Sequence, residues 1–237
     1  MMTSREIGSR LSGLLFVVTV PVFLIATNVS WAFHETRLYQ YGFDKYEIPQ
    51  VTGLVREELV RAASELVTYF DSGQELIDVH VSKGGETIAL FNEREIHHLR
   101  DVKDLLHRVY WVQRLSLLYM AAYGAFLWAR HRRSVLAGDL TLGSGLAVAL
   151  VVMMGAASLL SFEALFVQFH LMSFSNDLWR LDPTTDYLLM MFPTDFWLDA
   201  TLLVGSATVM ESALLWTGSR LLSARLRDGS QEPATRE

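Results

Sequence analysis

Long uncharged apolar runs occupy two places in this chain, Leu11 to Phe33 and Leu140 to Phe162. A helix of about 20 apolar residues crosses the hydrocarbon core of a bilayer, and each run is long enough to do so. Two further segments read as spans although they carry polar residues. Segment 108–130 has Gln113 and Arg114 near its start, and 196–219 has Asp199 near one end and Glu211 within. The pattern predicts a mainly α, integral membrane protein with a four-helix transmembrane bundle.

Between the first two spans lies the largest hydrophilic block, 34–107. Val55, Leu59, Ala62, Leu66 and Phe70 recur there at helical spacing, with Glu57, Glu58, Arg61 and Glu65 between them. Asp71-Ser72-Gly73 closes that helix. Ile77, Val79 and Val81 then alternate with Asp78, His80 and Ser82, Gly84-Gly85 supplies a turn, and Thr87 to Phe91 returns. That is a β-hairpin. Asn92 followed by Glu95 has the spacing of a capping box. From Glu93 onward no Gly or Pro intervenes before Gly124, so one helix is expected to run from this block into the second span. The block is therefore a small α+β cap inserted between spans 1 and 2.

Basic residues orient the chain. Arg5 and Arg10 precede the first span, Arg130, Arg132 and Arg133 lie between the second and third, and Arg220, Arg225 and Arg227 follow the fourth. An even number of spans puts all three clusters on one face, which the positive-inside rule makes cytoplasmic. The expected order is N-terminus and span 1 over 1–33, cap over 34–107 and span 2 over 108–130. A cytoplasmic loop over 131–139 leads to span 3 over 140–167, followed by an external aromatic and acidic loop over 168–195. Span 4 over 196–219 and a cytoplasmic tail over 220–237, disordered at its end, complete it. No clean A-x-A site follows the first apolar run, so it is expected to stay uncleaved. Both termini face the cytoplasm of a bacterial cytoplasmic membrane, and the cap faces outward.

Composition narrows the chemistry. With no cysteine the chain has no disulfide, thiolate metal site or cysteine acyl-enzyme. The cap holds 14 acids and 8 bases, so the whole net charge of −6 resides in it. That sign argues against nucleic acid as a partner. No G-x-S-x-G elbow and no phosphate-cradling glycine loop is present.

Six of the seven histidines fall on the external side: His34, His80, His97, His98, His107 and His170. His131 sits in the cytoplasmic arginine cluster. His80 and His97 read as solvated surface, and His34 and His107 flank spans at headgroup depth. His98 precedes Asp101 by three residues on a helix, within reach of a carboxylate that fixes its tautomer and raises basicity at the other nitrogen. The bland alternative is a surface ion pair. His170 closes the third span, with Glu163 on the same helix face about 10 Å away along the axis. Nine aromatics lie between Phe162 and Trp197, accompanied by Asn176, Asp177, Trp179, Arg180, Asp182 and Asp186. An interfacial belt accounts for the aromatics but not for that polar set. His98, His170, Asp177, Asp182 and Asp186 are chemically suitable metal ligands, yet no tight ligand spacing such as H-E-x-x-H occurs. Glu211 is an intramembrane carboxylate, which suggests either a packing role or a proton-coupled transporter.

Two stretches carry a family resemblance. EREIHHLRDVKDLL, with His98 and Asp101-Val102-Lys103, and FHLMSFSNDLWRLDPTTDYLLMMFP, from Phe169 to Pro193, resemble the two signatures of the bacterial lipoprotein intramolecular transacylases. Leu99 stands where the family often has Met, a volume-conserving change. The four spans with an external cap match as well. The resemblance implies an acyltransferase that moves the sn-2 acyl chain of a diacylglyceryl lipoprotein onto the α-amino group of its N-terminal cysteine. The product is a lyso-form lipoprotein. It implies His98 and His170 as catalytic residues, and Asp101, Lys103, Asn176, Asp177, Trp179, Arg180, Asp182 and Asp186 as supporting or substrate-orienting ones. No metal or other cofactor is implied, and the partners are the lipoprotein substrate and membrane lipid. The substrate supplies the cysteine.

The chemistry is self-consistent. Attack of the cysteine nitrogen on the sn-2 carbonyl closes a ring of N, Cα, Cβ, S, two glyceryl carbons, the ester oxygen and the carbonyl carbon. Because both reactants are tethered, orientation supplies as much as about 7–11 kcal/mol in favourable cases. The α-amine, with a pKa of about 7.7–8.0, must lose a proton, and the departing glyceryl oxygen must gain one. Asn176, Trp179 and Arg180 are each candidate donors to the oxyanion. The rival readings are a non-catalytic membrane protein whose cap senses or docks an envelope partner, and a transporter that depends on Glu211.

Overall fold

The computed structural model describes residues 4–228, so the disorder expected at the end of the tail falls outside the described residues. Eight helices and one hairpin follow in the order α1 (Ser4–His34), α2 (Thr36–Lys45), α3 (Ile48–Thr52), α4 (Arg56–Asp71), β1 (His80–Lys83), β2 (Glu86–Ala89), α5 (Glu93–Ala129), α6 (Arg133–Ser173), α7 (Tyr187–Met191) and α8 (Thr194–Asp228). By length and composition, three of the helices are apolar enough to cross a membrane, over Glu6–His34, Arg133–Ser173 and Thr194–Leu226. Helix α5 is not among them, because Gln113 and Arg114 interrupt the apolar part of its second half.

The chain divides into two compact units. The first comprises residues up to Asn28, Trp111–Gly155, and from Val204 on. Its core is Phe16, Val20, Leu24, Tyr123, Leu127 and Ala147, with the rings of Phe16 and Tyr123 stacked at 4.7 Å. The hydroxyl of Tyr123 donates to Asp139 at 2.7 Å, and that of Tyr119 to the Ser12 carbonyl at 2.7 Å. A Cβ on Gly143 would meet Val20 at 2.8 Å, so this glycine permits a close helix crossing. The cytoplasmic loop expected over 131–139 is shorter than that. Helix α6 starts at Arg133, and His131 makes the reversal with a left-handed φ of 54°. Glu211 Oε2 accepts from Asn28 Nδ2 at 2.8 Å, and the same amide donates to Thr208 Oγ1 at 3.1 Å.

The second unit comprises Val29–Tyr110 and Ala156–Leu203. It is larger than the predicted cap, because the ends of α1, α6 and α8 and the 174–193 connection fold with it. In α4 the buried positions are Leu59, Ala62, Ala63, Leu66, Tyr69 and Phe70, as the periodicity predicts. Val55, counted there as a core position, instead precedes the helix and is exposed. The hairpin pairs Lys83 with Glu86 and His80 with Ala89, and Gly84 and Gly85 both have positive φ, which a two-residue turn of this kind requires. Ile77, Val79 and Val81 are buried, as alternation predicts. Helices α2, α3 and α7 are short elements that the hydropathy pattern does not mark. Tyr39 and Phe43 of α2 pack with Phe192, just after α7, and with Phe196 and Trp197 of α8 as an aromatic cluster.

Helix α5 begins with the predicted capping box. Asn92 N donates to Glu95 Oε2 at 2.7 Å, and Glu95 N donates to Asn92 Oδ1 at 3.1 Å. The helix is then unbroken to Ala129. Helix α6 is not continuous. Ser161 is extended at φ −163°, ψ 89°, so two helices meet there, and the second runs to Ser173, beyond the expected end of the span at 167.

Candidate active site

Helix α5 contributes His98 and the last turns of α6 contribute His170, both within the second unit. The two rings lie 6.0 Å apart, with Phe174 packed against both at 5.2 and 5.6 Å. Phe166, Phe169 and Trp179 close around His170 at 4.3, 5.3 and 4.9 Å. Only 6% of His98 and 7% of His170 is exposed. A straight α5 would hold His98 roughly 16 Å along the axis from Val109. The rings meet from two elements of the same unit, α5 and the part of α6 that runs on past Ser161 to Ser173.

The two imidazoles are held differently. His170 Nδ1 lies 2.7 Å from the Phe166 carbonyl, which only accepts, so Nδ1 carries the proton and the neutral ring has its lone pair on Nε2. His98 Nδ1 is buried and has no hydrogen-bond partner among the described residues. Burial lowers the His98 pKa to about 4, with the His170 ring adding to the effect and Asp101 opposing it. His98 is neutral near pH 7. The expected His98–Asp101 hydrogen bond is not formed. Asp101 instead accepts from Asn176 Nδ2 at 2.8 Å, which ties α5 to the loop after α6 while the His98 ring turns into the aromatic pocket.

The remaining expected site residues separate by what they touch. The Lys103 ammonium donates to the Gln74 carbonyl at 2.7 Å and lies over the Tyr69 ring at 4.2 Å. Asp186 is buried, accepting from Asn92 Nδ2 at 2.9 Å and from Asp182 N at 2.7 Å. Asp182 turns its own loop by accepting from the Thr184 backbone and hydroxyl. Asp177 pairs with Arg180 at 3.1 Å on the surface, and the guanidinium lies 5.1 Å from the Trp179 ring centroid. Trp179 Nε1 is buried with no partner among the described residues. Glu163 is exposed. Among the described residues, no three His, Asp or Glu side chains gather as a metal-binding group.

Glu95 is the residue that motif reading undervalued. It is 1% exposed, and beyond the capping box its Oε1 accepts from Leu188 N at 2.6 Å, anchoring α7 to the first turn of α5. Burial holds its carboxyl above the usual carboxylate range, with those backbone N–H groups opposing. Its spacing in the sequence shows the cap but not the second anchor. His34 is likewise more connected than expected, with Nδ1 at 2.6 Å from the Ser30 carbonyl and Nε2 at 2.9 Å from Asp71.

Residues 14–197 match the family model of the lipoprotein intramolecular transacylase Lit. The chain belongs to that family. It is therefore a membrane-integral acyltransferase of lipoprotein modification, which sets aside a purely docking or sensing role for the cap. A protein of Aquifex aeolicus known only as uncharacterized is 26% identical over 215 residues, spanning 88% of this chain and 94% of its own length. The in meso structure of Lit from Bacillus cereus superposes with a TM-score of 0.79 at 23% identity, over 92% of this chain and 97% of that one. A variant of the same Bacillus protein, with a histidine replaced by arginine, superposes at 0.77 and 21% identity over 95% and 96%. At such identities these structures show a common fold.

Proposed function

We propose that this transacylase moves the sn-2 acyl chain of a diacylglyceryl lipoprotein to the α-amino group of its N-terminal cysteine by acid–base catalysis at His98 and His170. The observation that carries the reading is the pairing of these two buried rings at 6.0 Å from different helices. His170 is the base: its Nδ1–H is committed to a carbonyl, leaving Nε2 to take the proton of the attacking nitrogen. His98 is neutral near pH 7 and holds no acidic proton of its own, so the proton that reaches the departing glyceryl oxygen is the one His170 took from nitrogen, and the low proton affinity of His98 lets it relay that proton without retaining it. The aromatic walls supply an apolar surface for folding the tethered substrate, and exclusion of water strengthens each polar contact made inside.

The reading includes four spans, with α5 from about residue 108 as the second. That part of α5 exposes Trp111, Leu115, Leu118 and Phe126, the surface a lipid-facing helix presents. In this reading both termini are cytoplasmic and the histidines face outward, an orientation supported by the arginine clusters. Asp101 and Asn176 act as a positioning pair, and Asp186 as a positioning residue for the 174–193 loop. Expression in a host that makes diacylglyceryl lipoproteins, followed by tandem mass spectrometry of their N-termini, tests the reaction. An amide-linked acyl chain with a lyso-glyceryl group is expected with the wild type and absent with His98→Ala or His170→Ala. Lyso-form product from either variant at the wild-type level would remove the histidines from the chemistry.

A further inference from the structure

We infer that the indole N–H of Trp179 is the oxyanion donor of this site, a role that rests on the reaction proposed above. Asn176, Trp179 and Arg180 are the donors named for this role from the sequence, and the geometry separates them. Asn176 uses its amide on Asp101 at 2.8 Å and its carbonyl on Leu178 N at 3.1 Å. Arg180 is exposed and paired with Asp177 at 3.1 Å. Trp179 alone of the three has a buried donor, Nε1, that donates to nothing among the described residues. An indole nitrogen only donates, and a buried N–H left without an acceptor is costly, so its natural complement is an oxygen brought by the substrate. The indole ring is packed against His170 at 4.9 Å, which places it beside the proposed base. The Arg180 guanidinium at 5.1 Å from the ring centroid draws on its π face, making the N–H a stronger donor.

The step is balanced. The amine nitrogen attacks the sn-2 carbonyl carbon, a C–N bond forms, and the carbonyl π pair moves onto oxygen, where Trp179 Nε1–H meets it. Return of that pair breaks the bond from carbon to the glyceryl oxygen, which takes up the proton removed from nitrogen. No oxidant, reductant or further reactant enters. A donor aimed at charge that develops only in the tetrahedral state acts on kcat and leaves ground-state binding nearly unchanged.

The test uses the full chain, reconstituted in lipid with a synthetic S-diacylglyceryl-cysteine lipopeptide. Two variants are compared, Trp179→Phe and site-specific replacement of Trp179 by 3-benzothienylalanine, which keeps the bicyclic shape and lacks the N–H. Loss of one such donor lowers kcat by about 10²–10³-fold with KM little changed. The pH profile keeps its shape, because neither histidine is touched. If the benzothienyl enzyme turns over within about threefold of the wild type, or loses only in KM, Trp179 is a packing residue and the inference fails. His98→Ala and His170→Ala are run in parallel. If they are inactive while the benzothienyl enzyme is active, only the Trp179 assignment is overturned. If they are active, the histidine chemistry falls first and takes this inference with it.

Discussion

His98 sits among aromatic rings beside a second imidazole, and that surrounding sets its proton affinity before any substrate arrives. Its pKa of about 4 lies below the ordinary value of 6.5, with burial the main cause. Titration of the His98 Cε1 resonance in selectively labelled protein is expected to give a midpoint well under 6.5. Asp101→Asn should move it lower still, since Asp101 opposes the shift while the asparagine keeps a polar partner for Asn176. A sign follows for stability. Between about pH 6.5 and 4 the unfolded chain binds a proton at this position and the native one does not. The contribution is complete above about 6.5 and is lost as pH falls toward 4. The melting temperature is expected to drop over that window, and by less in His98→Gln. An equal drop in both proteins would assign it to other groups.

Helix α5 is a lever whose first turn sets where His98 points, and that turn is held twice. The capping box holds the start of the helix, and Glu95 Oε1 holds α7 through Leu188 N. Asn92→Ala is expected to cost about 1 kcal/mol of stability, as loss of an N-cap side chain usually does. Glu95→Ala should cost more, because it also orphans the Leu188 amide. Faster hydrogen exchange at Leu188, together with slower transacylation, is the expected pair of readouts. Protection at Leu188 equal to the wild type would dismiss the second anchor. Helix α2 depends on contact of another kind. A Cβ on Gly42 would stand 2.6 Å from Phe196 Cδ2, so Gly42→Ala must displace a ring that packs on Tyr39 and Phe192. Overpacking of this sort costs typically about 1–3 kcal/mol, read as a lower melting temperature.

At the scale of the molecule, the acid within the apolar helix α8 has polar partners of its own. Glu211 accepts from Asn28, whose amide also reaches Thr208, so three polar side chains satisfy one another within the first unit. Glu211→Gln keeps an oxygen to accept from Asn28 and is expected to leave transacylation unchanged. Glu211→Leu orphans the Asn28 amide and should lower the melting temperature. A loss of activity in Glu211→Gln with unaltered melting would return this residue to the mechanism.

Much was legible from the chain alone because it depends on near neighbours. Apolar runs marked α1, α6 and α8, period-2 alternation marked the hairpin, the Asn92/Glu95 spacing marked the start of α5, and two motifs marked His98 and His170. Local rules also misled where a distant partner outbid a near one. Asp101, three residues from His98, is taken by Asn176 across the loop. Helix α2 and the end of α7 pack through aromatic residues far apart in sequence, which periodicity does not register. Composition and local pattern set the membrane-embedded helical class and the residue types available for catalysis. The tertiary structure decided which of them meet. The two histidines approach to 6.0 Å within the packing of Phe166, Phe174 and Trp179, beside an indole N–H that has no partner among the described residues. Contacts between residues so far apart in the chain leave no trace in local spacing.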